Sequence, residues 1–292
     1  MCTKSQSSLL TASLMRSLFC GLPRPNKHMA VFVSASDENT ATDKREFSFG
    51  GLIAPEEDWS RYFAPAWQER VLDGPPPIPW LHMTEIRSRK FRNEHGLSRD
   101  DADSRLDEAI NVIEQLGSLR AILIDINAEH FRGTMSNTKF IASTGGIKDY
   151  HHPDYLCFQA YVFAVLTYVE KWHPDAEKVD FIVERNGEIT KHIQTFHSNM
   201  ADVLQQQGKD SLARLMGELI PGGKDRAPLQ AADVLCWHMG RARNPETMDG
   251  DDIRRYNSLA DIDGMRVPIE ESVVNSIKAA YENLDPVTAK PP

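Results

Sequence analysis

The stretch Arg226–Arg243 reads RAPLQAADVLCWHMGRAR. Pro228 suits the first turn of a helix, where its missing N–H costs nothing. From Leu229 to Met239 nearly every residue is apolar, and a helix apolar all round is a buried helix. Gln230 and Asp233 interrupt that pattern, and at three positions apart they project from one face. A buried carboxylate is costly unless it is paired or bound to a metal ion. Asp233 is therefore either half of an ion pair, with Arg226 or a distant arginine, or a metal ligand at a catalytic centre. Both readings stay open on this helix alone.

The segments before this helix read as strands and helices of an α/β domain. Ala30–Ser36 (AVFVSAS) is predicted to be a strand ending at Asp37-Glu38-Asn39. Asn39–Lys44 is polar and turn-like. Glu46–Ala54 alternates and completes a hairpin with the first strand. Gly50-Gly51 within it predicts a bulge or a close backbone approach. Trp59, Phe63 and Trp67 recur at helical spacing, so Pro55–Val71 reads as an amphipathic helix despite Pro65. Arg99–Leu116 is a further helix, and Leu119–Ile126 a third strand carrying Asp125. After an expected loop over Asn127–His152 come a buried helix (Tyr155–Trp172) and a strand (Lys178–Glu184). A helix (Glu188–Gln206) and a strand (Leu212–Leu219) precede the Pro228 helix. Asn244–Gly264 reads as a polar loop and Ile269–Leu284 as a closing helix.

This order predicts an antiparallel meander of three strands followed by crossovers, with a helical insertion over 55–115 after the second strand. One domain over 29–284 is expected. Residues 1–28, Ser-rich with scattered basic side chains, read as a disordered extension, and 285–292 as a flexible tail.

Composition narrows the class. At 292 residues, 41% hydrophobic and 26% charged, the chain can bury a sizeable core. A net charge of -9 argues against a strongly basic nucleic-acid-coating protein but leaves room for a nuclease with a local positive surface. Cys2, Cys20, Cys157 and Cys236 lack metal-binding spacing and predict neither a zinc site nor a disulfide-linked partner. A reducing cytoplasm is the expected location. No run approaches the ~18 apolar residues that a membrane span needs.

Acids fall at comparable places along the chain. Asp37 and Glu38 follow the first strand, Glu184 ends a later strand, and Asp233 sits on the late helix. Carboxylates at strand ends converge on the crevice where open sheets bind ligands. Such hard oxygen ligands suit Mg²⁺ or Mn²⁺, and a two-ion site could cleave a phosphodiester. Solvated strand-end acids are the plainer reading of the spacing.

Asp37-Glu38-Asn39 and Leu229-Gln230-Ala231-Ala232-Asp233 resemble the marks of Domain of Unknown Function family 3800, an uncharacterised prokaryotic family. These marks are an Asp-Glu-Ser-like sequence after the first strand and a Leu-Gln-x-x-Asp helix. Gly50-Gly51, the Trp59, Phe63, Trp67 series and Leu81-His82-Met83-Thr84-Glu85 also look like its longer members, so the resemblance spans roughly 30–243. It implies a ribonuclease-H-like mixed sheet flanked by helices, and a metal-dependent nuclease or phosphodiester hydrolase. Asp37, Glu184 and Asp233 would be the metal ligands, with Glu38 beside them and nucleic acid as a partner. A second register places Ser34 at the family's first-strand Asp, with Ser34-Ala35-Ser36 matching Asp-Ala-Ser. One ligand would then be missing, leaving a non-catalytic nucleic-acid- or protein-binding module. A metal-dependent enzyme on a non-nucleic substrate is a third possibility.

His82 could shuttle a proton or contact phosphate, although such a histidine more often holds a loop. Arg89 and Lys90, in the densest basic cluster (Arg87–Arg92), are candidate phosphate contacts, and Gln230 is a candidate substrate contact. Lys224 and Arg226 could act similarly. Glu85 reads as a helix cap or ion-pair partner, and Asp125 is a reserve fourth acid.

Overall fold

The computed structural model describes residues 29–36, 46–136, 139–141, 147–149, 153–185, 187–242 and 245–282. Asp37 and Glu38, like the segments 1–28 and 285–292, lie outside the described residues. The protein is a mixed α/β structure. Strand β1 (Met29–Ser36) pairs antiparallel with β2 (Glu46–Pro55), and β2 with β3 (Arg120–Asn127), so the expected meander is present. On its other side β1 pairs parallel with β6 (Val179–Glu184), which in turn pairs with β7 (Met216–Gly222). The sheet order is β7-β6-β1-β2-β3-β8, and a separate hairpin joins β4 (Lys139–Ile141) to β5 (Ile147–Asp149).

Strand alternation sends successive side chains to two cores. Leu52, Ala54, Ala121, Leu123 and Ile182 pack on one face with the helices between β2 and β3 and with the Pro228 helix. Ile53, Ile122, Ile124, Phe181 and Val183 pack on the other. That second core is completed by a helix over Asp154–Trp172, whose Phe158 and Tyr161 rings meet Phe49 edge-on.

Helices occupy most of 56–115, between β2 and β3. The first, over 56–72, is continuous through Pro65 because it widens to π-helical turns at Trp59–Phe63 and Trp67–Leu72. An i→i+5 turn removes the demand for the N–H that proline lacks. Trp59, Phe63 and Trp67 are all buried; Phe63 packs edge-on to Trp59 and stacks on Trp67. Short helices at Met83–Arg87 and Arg89–Glu94 follow, then a long one at Arg99–Gln115 whose Ser98 and Asp101 form a reciprocal capping box.

Several expectations need correction. The Gly50-Gly51 pair makes no bulge, since the register runs unbroken on both sides. It is a close approach: a Cβ on Gly50 would lie 2.4 Å from Leu123 Cδ2. The expected loop over 127–152 contains a helix, Ala128–Met135, capped by Asn127. Leu212–Leu215 belongs to a helix (Asp210–Leu215), and the strand begins at Met216. The polar stretch after 244 holds a helix, Gly250–Ala260, and Gly264–Ile269 is a sixth sheet strand, β8, before the closing helix Glu271–Glu282. Among the described residues no helix is long and apolar enough to cross a membrane. Cys157 and Cys236 are buried free thiols; Cys2 and Cys20 lie outside the described residues.

Candidate functional site

Strand parity explains how two of the predicted acids meet. Ile182 faces the core that contains the Pro228 helix, so Glu184, two residues on at the end of β6, projects to the same side. The Pro228 helix itself spans Ala227–Arg241 and carries Asp233 on that side. A small, open cleft is lined by Leu81, His82, Glu184, Lys224, Leu229, Gln230 and Asp233. Glu184, Asp233, His82 and Gln230 are thus brought together.

The turn between β7 and the helix delivers Lys224. The backbone at Gly222 runs close to that helix: a Cβ would sit 2.6 Å from Arg226 Cδ and 2.8 Å from Leu229 Cδ1, so those side chains would have to move. Lys224 Nζ donates to Glu85 Oε1 at 2.9 Å, and Trp80 Nε1 donates to Glu85 Oε2. Burial pushes the Glu85 carboxyl up, but the hydrogen bonds from Lys224 and Trp80 outweigh it and hold the carboxyl below its ordinary range. Glu85 is therefore an anion that fixes an ammonium at the cleft.

The segment 80–85 forms the opposite wall and is tied to the late helix at two points. Met83 N–H donates to Asp233 Oδ2 at 2.7 Å, which fixes that carboxylate. Gln230 Oε1 accepts from Trp67 Nε1 and from Leu81 N–H, each at 2.9 Å, while its Nε2 donates to the Lys224 carbonyl at 2.8 Å. Gln230 lines the cleft, but most of its amide capacity joins the 56–72 helix, the wall and the Lys224 turn. Gln230→Leu should leave two buried donors unpaired at about 1–3 kcal/mol each. A denaturant melt is expected to register a loss of roughly 2–6 kcal/mol. A loss under about 0.5 kcal/mol, the usual effect of a surface change, would mean that the amide does not hold these elements together.

His82 Nδ1 lies 2.9 Å from Thr84 Oγ1, which orients the ring at the cleft edge. Arg89 and Lys90 are exposed on the Arg89–Glu94 helix and do not line the cleft. Asp125 is no reserve ligand: β2 separates its strand from β1, Ser48 Oγ donates to it at 2.8 Å, and Arg266 bonds its other oxygen. Lys224 and Glu85 had the weaker functional readings in the sequence, because 139 residues separate the two charges that make them a unit.

Among the described residues no group of three or more His, Cys, Asp or Glu side chains is placed to hold a metal ion. The cleft does offer two carboxylates, and Mg²⁺ is commonly held by one or two, with water and substrate phosphate filling its shell. The β1–β6 ladder pairs Val33 with Val183. The next residues on the two strands are Ser34 and Glu184, so Ser34 is the β1 position beside Glu184 in register, with Asp37 three residues further along. No family model matches the chain, and no curated protein or solved structure matches it.

Proposed function

We propose that this protein is a divalent-metal-dependent phosphodiester hydrolase of nuclease type on a ribonuclease-H-like fold. The observation that carries the reading is the single cleft holding an acid from the end of β6 and an acid from the late helix. The topology supports it as well. A mixed sheet with a three-stranded antiparallel meander and parallel strands beyond β1 is compatible with the ribonuclease-H-like arrangement proposed.

Glu184 and Asp233 would hold Mg²⁺ or Mn²⁺, with Asp37 and Glu38, just after β1, as further acids. When bound, such an ion activates water and neutralises charge on a phosphate. Met83 N–H keeps the Asp233 carboxylate in place. Lys224, braced by Glu85, offers a cation to a non-bridging phosphate oxygen, where charge develops during displacement. His82, which lines the cleft, would give or take a proton at the leaving or attacking oxygen.

The test is hydrolysis of single- and double-stranded DNA and RNA by the purified chain. Cleavage is expected with Mg²⁺ or Mn²⁺ and none after chelation. Cleavage indifferent to chelation would overturn the metal-dependent reading. A second reading, a non-catalytic nucleic-acid- or protein-binding module, is favoured by Ser34 standing beside Glu184 in register, where an acid was expected. Nucleic acid bound in a metal-indifferent way and left uncut would select it.

A further inference from the structure

We propose that Arg87 and Arg241 form a phosphate subsite for the flanking backbone of a nucleic-acid chain whose reacting phosphodiester lies in the cleft. This rests on the phosphodiesterase reading and adds where the chain beyond the reacting phosphate is held. The Met83–Arg87 helix and the late helix meet along a seam. Met83 N–H bonds Asp233, and four residues on in both helices the Arg87 guanidinium lies 4.3 Å from the Trp237 ring centroid. The two helices therefore run side by side away from the cleft. Arg241, one turn beyond Trp237, places its guanidinium 4.6 Å from the same centroid. One and two helical turns are about 5.4 and 11 Å. The two guanidiniums thus lie in succession along the direction in which a chain leaving the cleft would present its next phosphates.

The charge arrangement favours an incoming anion. Asp252 is 1% exposed and is shared: Arg87 bonds Oδ1, and Arg241 Nη2 lies 3.7 Å from Oδ2. The neighbouring buried Arg255 is answered by Asp103 and Asp107. Asp252 thus faces three guanidiniums, Arg255 Nη1 lying 3.9 Å from its Oδ1, and the nearby half-exposed Asp249 is paired with Arg99. Burial lowers the pKa of Arg87, Asp252 opposes that, and the charges of Arg255 and Arg241 add to the lowering. Phosphate would relieve the repulsion between the guanidiniums. Both side chains are about a quarter exposed (28% and 27%), and each Nε is buried with no hydrogen-bond partner among the described residues. A planar guanidinium pinned on a ring is pre-organised for a phosphate in a way that a free lysine is not.

Fluorescence anisotropy with labelled thymidine oligonucleotides of two to eight nucleotides, in Ca²⁺ instead of Mg²⁺, tests this. Wild-type affinity is expected to rise with length and level off once the chain reaches past Arg241. Arg241→Gln should weaken the longer ligands about tenfold, the worth of a charge-assisted hydrogen bond. It should lower the slope of log K against log salt by about 0.7 and leave the dinucleotide unaffected, while Arg241→Lys keeps the slope. An unchanged slope in Arg241→Gln overturns the proposal. So does wild-type affinity that is flat with length, a result that needs no variant. If Mn²⁺ stabilises the wild type while either result is obtained, the subsite alone fails. If Mn²⁺ leaves the wild type unaffected, it is the phosphodiesterase reading that fails.

Discussion

Asp233→Asn is expected to reduce metal-dependent cleavage by at least about a hundredfold, while the metal-free protein keeps its stability or gains slightly. The amide preserves the size of the side chain, and its oxygen can still accept the Met83 N–H. What disappears is the negative charge that would hold the ion. In the metal-free cleft that charge lines the same wall as Glu184, and like charges repel. If Asp233 were instead half of a structural ion pair, breaking it would cost about 3–5 kcal/mol. The two accounts differ in the sign of the stability change, so a denaturant melt of the metal-free variant separates them. A marked destabilisation would contradict the catalytic account.

The second large effect is acid lability. His238 is fully buried, and burial, with the charges of Arg87, Arg255 and Arg241, outweighs its bond to the Val234 carbonyl and pushes its pKa down to about 3. Burial likewise brings His197 down to about 4, against the opposing charge of Asp180. In the unfolded chain both would titrate near 6.5. The unfolded state therefore binds more protons below pH 6.5, and stability falls as the pH drops. Each histidine contributes about 1.4 kcal/mol per pH unit, between 6.5 and its own folded pKa. Stability measured by urea melts is expected to fall by roughly 2 kcal/mol between pH 6 and pH 5. Replacing His238 with glutamine should roughly halve that slope. A wild-type stability flat across this range would show that neither ring is held neutral.

How much of this was legible in the sequence depends on the range of the interactions. The β1–β2 hairpin and the late helix were readable because alternation and helical spacing are local. Glu184 and Asp233 were readable as partners because a strand end and a buried helix face are predictable places. The helix at Gly250–Ala260 was not: its sequence, GDDIRRYNSLA, has only a narrow apolar stripe, and it is anchored by Arg255 reaching Asp103 and Asp107. Strand β8 was missed because its six residues are only half-buried and include Pro268. Leu212–Leu215 is apolar enough for helix or strand, and only packing decides between them. The pairings Lys224–Glu85 and Asp125–Arg266 span more than a hundred residues, beyond the reach of any local pattern. The register that sets Ser34 beside Glu184 is likewise a property of two strands, not of either sequence.

Thermal melts during a Mn²⁺ titration of the wild type, Glu184→Gln and Asp233→Asn test the central claim most directly. A ligand that binds only the folded state stabilises it by about 2.7 kcal/mol at a hundredfold excess over Kd. The account predicts that the wild-type melting temperature rises with Mn²⁺ along that curve while both variants stay flat. Equal stabilisation of all three proteins, or no stabilisation of the wild type, would contradict it.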